Sequence, residues 1–332
     1  MPIPFSRRLL AVLCAATMML PTAPLRAQNN LPALGDAATG DFGVVTERRV
    51  GEQIMREVRR DADYLDDPLL LEYVQSLWSP LVAQARANGN ITAEIETRFA
   101  WEAFLVRDRS VNAFALPGGY VGVHLGLIAI TASRDELASV LAHELSHITQ
   151  RHIARGIANS KRQSILGLAA LLIGIIAASR SNSASAANAA IAGSQAGMIQ
   201  GQLNFSRDME READRIGIEV LTSAGFSPGG MAAMFEKLDN AMRLNDSNQY
   251  PYLRSHPLTI ERIGEAKSRM GTAPSVPPTS RLEHSVAQAR ARVMMDTRFD
   301  ALKRWQTLDT DRIASSTIDK LLNAYESALA ST

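Results

Sequence analysis

The chain has 332 residues, 35 basic and 34 acidic, for a net charge of +1. That balance, with no basic cluster, argues against a nucleic-acid partner, and the length suffices for one large domain and an appendage. The lone cysteine, Cys14, allows no intrachain disulfide, so stability has to come from packing.

At the N-terminus, Arg7 and Arg8 precede an apolar run from Leu9 to Leu20, followed by Pro21, Pro24 and Leu25-Arg26-Ala27. This is the pattern of a secretory signal cleaved after Ala27, and the run is shorter than the roughly 20 residues a membrane span needs. Leu13 is too bulky to make Cys14 a lipidation site. Loss of residues 1–27 would remove Arg7, Arg8 and Arg26 and leave a slight acidic excess.

Residues 98–106 and 111–115 read as strands. A third, 120–124, follows the turn Pro117-Gly118-Gly119. His124, at a strand end, reads as a packed histidine. Ser133-Arg134-Asp135-Glu136 matches a capping box, and Leu137, Val140, Leu141 and Leu145 recur at helical spacing, predicting a buried helix from Arg134 to His152.

That helix carries His143-Glu144-Leu145-Ser146-His147. Residues four apart share a helix face, so both imidazoles reach one metal ion, and Glu144 is placed to take a proton from water there. The pattern reads as a zinc-peptidase site with one Zn2+ per chain and Glu144 as general base. Gln150 and Ile153 stand where a metzincin would have its glycine and third histidine, which excludes that class. Counting five residues past His147 puts His152 about 140° round the helix, as a cap or facing solvent.

A gluzincin instead takes a glutamate from a second helix downstream. Ser206 is placed to N-cap one that continues through Ile216, Val220 and Leu221 and ends at Gly225. On it Glu210 and Asp214 share a face, whereas Glu212 points almost the opposite way. Glu210 is therefore the expected metal ligand, and Asp214 the carboxylate that orients a ligand histidine. Between the two helices, the apolar run from Ile165 to Ala178 is too short to span a bilayer, and 181–201 is rich in Ala, Ser, Gly and Asn. The insertion is expected to serve as a lid, a core helix or a membrane contact.

Further on come Tyr250-Pro251-Tyr252 and Ser255-His256-Pro257, then a helix over 258–270 containing Arg262. Arg262 is expected to form a local salt bridge or to hold substrate. Residues 271–280, with Pro274, Pro277 and Pro278, read as a linker, and 281–304 and 311–330 as helices.

Taken together, Asn112 to Tyr120, the HExxH helix, Ser206 to Asp214 and Ser255-His256-Pro257 with Arg262 form four ordered motifs. The chain resembles the gluzincin family of zinc metallopeptidases that includes HtpX and the CAAX prenyl endopeptidases, and within it the soluble, periplasmic BepA-like branch. The resemblance covers about 112–262. It implies a zincin-type domain of the α+β class, mainly α-helical with a small antiparallel sheet, and a short C-terminal helical extension. The expected organisation is a signal peptide (1–27), a metallopeptidase domain (28–270), a linker (271–280) and a helical extension (281–332). The extension leaves room for one or two tetratricopeptide-like hairpins and too little for an array.

The resemblance further implies a periplasmic endopeptidase acting on unfolded or misassembled outer-membrane proteins, with the outer-membrane assembly machinery as a partner. Membrane contact would be at most peripheral. His256 would occupy a fourth zinc position as a plug, or else contact substrate. Asn112 and Ala113, on a strand beside the metal, would bind an extended peptide through the backbone. The alternative is a chaperone or assembly factor for outer-membrane proteins with a structural zinc site.

Overall fold

A computed structural model describes residues 42–159, 207–244, 249–270, 282–311 and 317–332. The signal-like segment 1–27, Ser206, the run from Ile165 to Ala178, the stretch 181–201 and the linker 271–280 lie outside the described residues. Among the described residues, no helix is long and apolar enough to cross a membrane.

The first helix, α1 (Val44–Val58), turns Val50, Ile54, Met55 and Val58 onto Phe42, Phe104, Leu116 and Tyr120. α2 (Pro68–Ala87) starts where Asp67 accepts a hydrogen bond from the Leu70 N–H at 2.9 Å, with Pro68 in the first turn, where its missing donor costs nothing. Its buried face of Leu70, Val74, Leu77, Trp78 and Leu81 builds the main core.

The sheet has the order β1-β2-β4-β3, formed by Tyr64–Leu65, Glu102–Val106, Tyr120–His124 and Ala113–Leu116 respectively. It is mixed, not wholly antiparallel as expected. β3 and β4 form an antiparallel hairpin, but β2 lies on the far side of β4 and runs parallel to it. After β2 the chain crosses over to lay β3 at the edge, and the hairpin then brings β4 back in β2's direction. Gly118 and Gly119 make the hairpin turn at φ +79° and +90°, where a Cβ on Gly119 would sit 2.8 Å from that of Phe99. The strand expected from Arg98 begins only at Glu102. Residues Ala93–Arg98 instead form the short helix α3, and Trp101 at φ +51° turns the chain into the sheet.

After α4 (Leu125–Ile130) comes α5 (Arg134–Thr149), in which every residue from Glu136 to Thr149 is buried. Ser133 Oγ accepts from the Glu136 N–H, and Glu136 reaches back to the Ala132 N–H while also pairing with Lys237. This is a capping box displaced by one residue. α5 packs against α2, β3, α7 (Arg207–Ser223) and α8 (Gly229–Leu244). The approach of α7 is close at Gly217, where an added Cβ would lie 3.3 Å from His143 Cα. Gly225, at φ +84°, ends α7, with the Phe226 N–H returning to the Leu221 carbonyl.

The helix expected to run to His152 stops earlier. Gln150 caps α5, Arg151 adopts φ +52°, and a new helix, α6 (His152–Asn159), begins. The Arg151 guanidinium is buried, donating to Glu47 and to the Phe42 carbonyl, which pins this corner to α1. Downstream come the turn α9 (Tyr252–Ser255) and α10 (Ile260–Arg269), the latter N-capped by Thr259.

The segment 281–304 is two helices, α11 (Leu282–Met294) and α12 (Phe299–Asp311), because Asp296 makes a local turn with the Arg298 N–H and guanidinium. α11 packs onto α4 and α2, with His284 hydrogen-bonded to the Thr131 carbonyl and Arg290 paired with Asp67. α13 (Thr317–Leu329) pairs with α12 and α11.

Candidate metal centre

Four buried side chains converge where α5, α7 and the segment after α9 meet: His143, His147, Glu210 and His256, each offering one ligand atom within 4.8 Å of the others. Helical spacing on α5 brings His143 Nε2 and His147 Nε2 to 3.0 Å. Glu210, in the first turn of α7, lies 3.4 Å from His147 Nε2 and 3.5 Å from His143 Nε2. His256, the residue that ends α9, brings Nδ1 to 3.0 Å from Glu210 Oε1 and 3.3 Å from His143 Nε2.

The donor set fits a tetrahedral metal ion. Three imidazoles and a carboxylate are zinc ligands, and donors bound at zinc distances stand about 3.3 Å apart around a tetrahedron. Two ring nitrogens facing each other at 3.0 Å, with a carboxylate behind them, is the arrangement a cation reconciles.

Each histidine of α5 has a second contact on its outer nitrogen. His143 Nδ1 lies 2.9 Å from Asp214 Oδ1. Asp214 is in turn gripped by Arg262, through Nε at 2.6 Å and Nη2 at 2.8 Å. His147 Nδ1 lies 2.8 Å from His152 Nδ1, and His152 Nε2 lies 3.1 Å from Glu212, which Arg155 also contacts. His152 is therefore fully buried, where helical counting had put it as a cap or in solvent. The break at Arg151 invalidates that count by folding α6 back beneath α5.

The charges on these groups follow from burial and partners. Burial pushes the His143 imidazole down, but Asp214 and Glu210 overcome it and hold the group up at about 9. His147 is driven well below the usual histidine range by burial and by the adjacent His143. Burial raises the Glu210 carboxyl, yet His256 and His143 more than offset that and hold it far below the carboxylate range. Glu144 goes the other way, raised by burial against the pull of His256 and His143.

Glu144 stands beside the cluster. Its Oε2 accepts the Ala115 N–H of β3 at 3.0 Å, while its buried Oε1 has no hydrogen-bond partner among the described residues and faces His256 Nε2 at 3.4 Å. β3 is an edge of the sheet. The His124 N–H donates to the Asn112 carbonyl, so alternation along the ladder turns the backbone groups of Ala113 and Ala115 away from β4. Asn112 itself is buried, its Oδ1 without a hydrogen-bond partner among the described residues. His124 is packed as expected, against Phe114 and hydrogen-bonded to Ser110. Arg262 is buried and engaged by Asp214, Glu210 and the Pro257 carbonyl.

Three contributors have no role expected from the sequence: His152, Glu212 and Tyr252, whose ring stacks on His256 at 4.6 Å and meets His143 edge-on. Only the aromatic run 250–252 beside His256 carried a signal for the last of these.

The model of Peptidase family M48 matches residues 72–270. The chain is 37% identical to the putative beta-barrel assembly-enhancing protease of Vibrio cholerae over 286 residues, 86% of this chain and 57% of that protein. It is 33% identical to the beta-barrel assembly-enhancing protease of Escherichia coli K12 over 327 residues, 96% of this chain and 65% of that protein. With the mitochondrial metalloendopeptidase OMA1 of Saccharomyces cerevisiae it shares 28% identity over 219 residues, 64% of this chain and 59% of the yeast protein. The chain thus spans less than two thirds of the length of these relatives.

Proposed function

Because this chain belongs to peptidase family M48, we propose that it is a zinc-dependent endopeptidase of the periplasm that cleaves unfolded or misassembled outer-membrane proteins. The observation that carries this reading is the buried cluster of His143, His147, Glu210 and His256 with Glu144 beside it. The names of the Vibrio and Escherichia relatives support the link to β-barrel assembly.

His143, His147 and Glu210 would hold the zinc, which supplies Lewis acidity to the scissile carbonyl. Glu144, with one oxygen fixed by Ala115 and the other unpartnered among the described residues, accepts the proton of the attacking water and returns it to the leaving amine. Its raised pKa makes it a better proton acceptor than an exposed glutamate. Asp214 fixes the ring of His143, and Arg262 clamps Asp214 and Glu210 in place. An extended substrate segment would add to the edge of β3 through the backbone groups of Ala113 and the Ala115 carbonyl, which turn away from β4, and so be bound by its backbone with little sequence preference.

His256 fills the position that water and substrate need, so the enzyme is latent until the segment bearing His256 moves. The same four-donor enclosure supports a second reading, an assembly factor for outer-membrane proteins with a structural zinc. Degradation of an unfolded outer-membrane protein by the purified chain tests both, beside Glu144→Gln and His256→Ala. The peptidase reading expects cleavage that rises in His256→Ala and vanishes in Glu144→Gln. No cleavage by the wild type or by His256→Ala would overturn it and leave the assembly-factor reading.

A further inference from the structure

His143 and His147 are equivalent in the motif, yet among the described residues a carboxylate lies directly on the outer nitrogen of His143 alone. On His147 that place is taken by another imidazole. His152 is buried, its Nδ1 is 2.8 Å from His147 Nδ1, and the two rings meet nearly edge to face at 4.8 Å. Beyond it, His152 Nε2 lies 3.1 Å from Glu212 Oε2.

We propose that His152 is the positioning residue for His147, with Glu212 as its anchor, so that a two-step relay fixes His147 for metal binding. Hydrogen-bond direction permits one coherent arrangement. The Glu212 carboxylate can only accept, so His152 Nε2 carries the proton and donates to it. His152 Nδ1 is then a bare lone pair, which accepts the Nδ1–H of His147. That leaves His147 Nε2 unprotonated and directed at His143 and Glu210, as a metal ligand requires.

Two features make the relay a built one. Arg151, at φ +52° and held by Glu47 and the Phe42 carbonyl, turns the chain so that α6 brings His152 back under α5. Arg155, one turn along α6, contacts Glu212 at 2.8 Å and keeps its carboxylate at the end of the relay. Glu212 thus serves from the face of α7 opposite Glu210 and Asp214, and one helix supplies both the ligand and the anchors for the two histidines.

The proposal rests on the metal reading above, and the test separates the two. Zinc affinity of the full chain is measured by competition with a chromophoric chelator, for the wild type, His152→Phe and His152→Asn. Phe keeps the ring volume and removes both nitrogens, whereas Asn returns an acceptor to the place of Nδ1. Affinity should fall roughly 10- to 100-fold in His152→Phe and largely return in His152→Asn, a rescue that a purely space-filling role would not give. If His152→Phe does not fold, Glu212→Ala, whose side chain is 18% exposed, carries the test and should weaken zinc binding in the same direction. A wild type that binds zinc with His152→Phe equally tight would overturn the relay alone. Equal losses in the Phe and Asn variants, matched by equal losses of stability in the chelator-treated proteins, would reduce His152 to packing. A wild type that binds no zinc would overturn the metal reading and the relay together.

Discussion

The two histidines of α5 sit one turn apart and are supported by unlike means. His143 leans on Asp214, a carboxylate from the facing helix that is itself locked by two bonds from Arg262. His147 leans on His152, from a helix that begins only after a sharp break, with Glu212 and Arg155 behind it. The first support is short, charged and buried; the second is longer and ends at the somewhat more exposed Glu212. A motif that is symmetric in sequence is therefore held asymmetrically, and the two sides should fail differently.

The largest effect should come from the short side. Asp214→Asn takes the negative charge from between His143 and Arg262, leaving a buried guanidinium with Glu210, the Pro257 carbonyl and the Phe235 ring beside it. Breaking a buried pair in this way costs about 3–5 kcal/mol. Zinc affinity should drop by roughly 10- to 100-fold as His143 loses its anchor. Urea unfolding of the chelator-treated protein and a zinc competition titration measure the two losses separately. A variant with wild-type values in both would remove Asp214 from any supporting role.

How far the sequence reached follows the same asymmetry. Glu210 and Asp214 were readable because both sit on one unbroken helix, where a four-residue spacing means a shared face. The geometry keeps them together as that count requires. His256 was brought in by likeness of motif, and it does join the cluster. His152 was not readable, because the count assumed that α5 ran on, and nothing local announces the positive φ of Arg151. That conformation is held by Glu47, more than a hundred residues earlier. The sheet shows a related limit. Residues 120–124 were legible as a strand, but the parallel pairing of β2 with β4 depends on a crossover that alternation of residues does not encode.

Next in size is an effect at the corner that positions His152. Burial raises the Glu47 carboxyl to about 7, with Arg151 offsetting part of the cost. A group whose folded pKa lies above its unfolded value stabilises most below the unfolded value and loses that contribution as pH rises through the folded one. Wild-type stability should therefore fall between pH 4.5 and about 7, by up to about 3 kcal/mol. Glu47→Gln should flatten that slope. An unchanged slope, read from urea midpoints across this range, would show that Glu47 does not titrate with folding. Smaller still is Ser133→Ala at the opposite end of α5, where loss of the cap to the Glu136 N–H costs about 1 kcal/mol. Zinc affinity should not change in that variant. If it does, the ligand histidines sense the stability of the whole helix, and the two supports matter less than the helix that carries them.

A last effect separates the two sides by the sign of their pH dependence. Glu212 is held down at about 2 by its hydrogen bonds from His152 and Arg155. Its folded pKa lies below the unfolded 4.5, so its contribution is fully present above pH 4.5 and is lost as pH falls through about 2. This slope is opposite to that of Glu47, although both groups serve the same histidine. In the chelator-treated wild type the two should give a stability maximum near pH 4.5, with Glu212 shaping the acid limb and Glu47 the other. Glu212→Gln should flatten only the acid limb. If it also flattened the limb above pH 4.5, the corner at Arg151 and the anchor at Glu212 would be one cooperative unit, and His152 would be held from both ends at once. If it flattened neither, Glu212 would be a solvated surface carboxylate, and the long side of the comparison would end at His152.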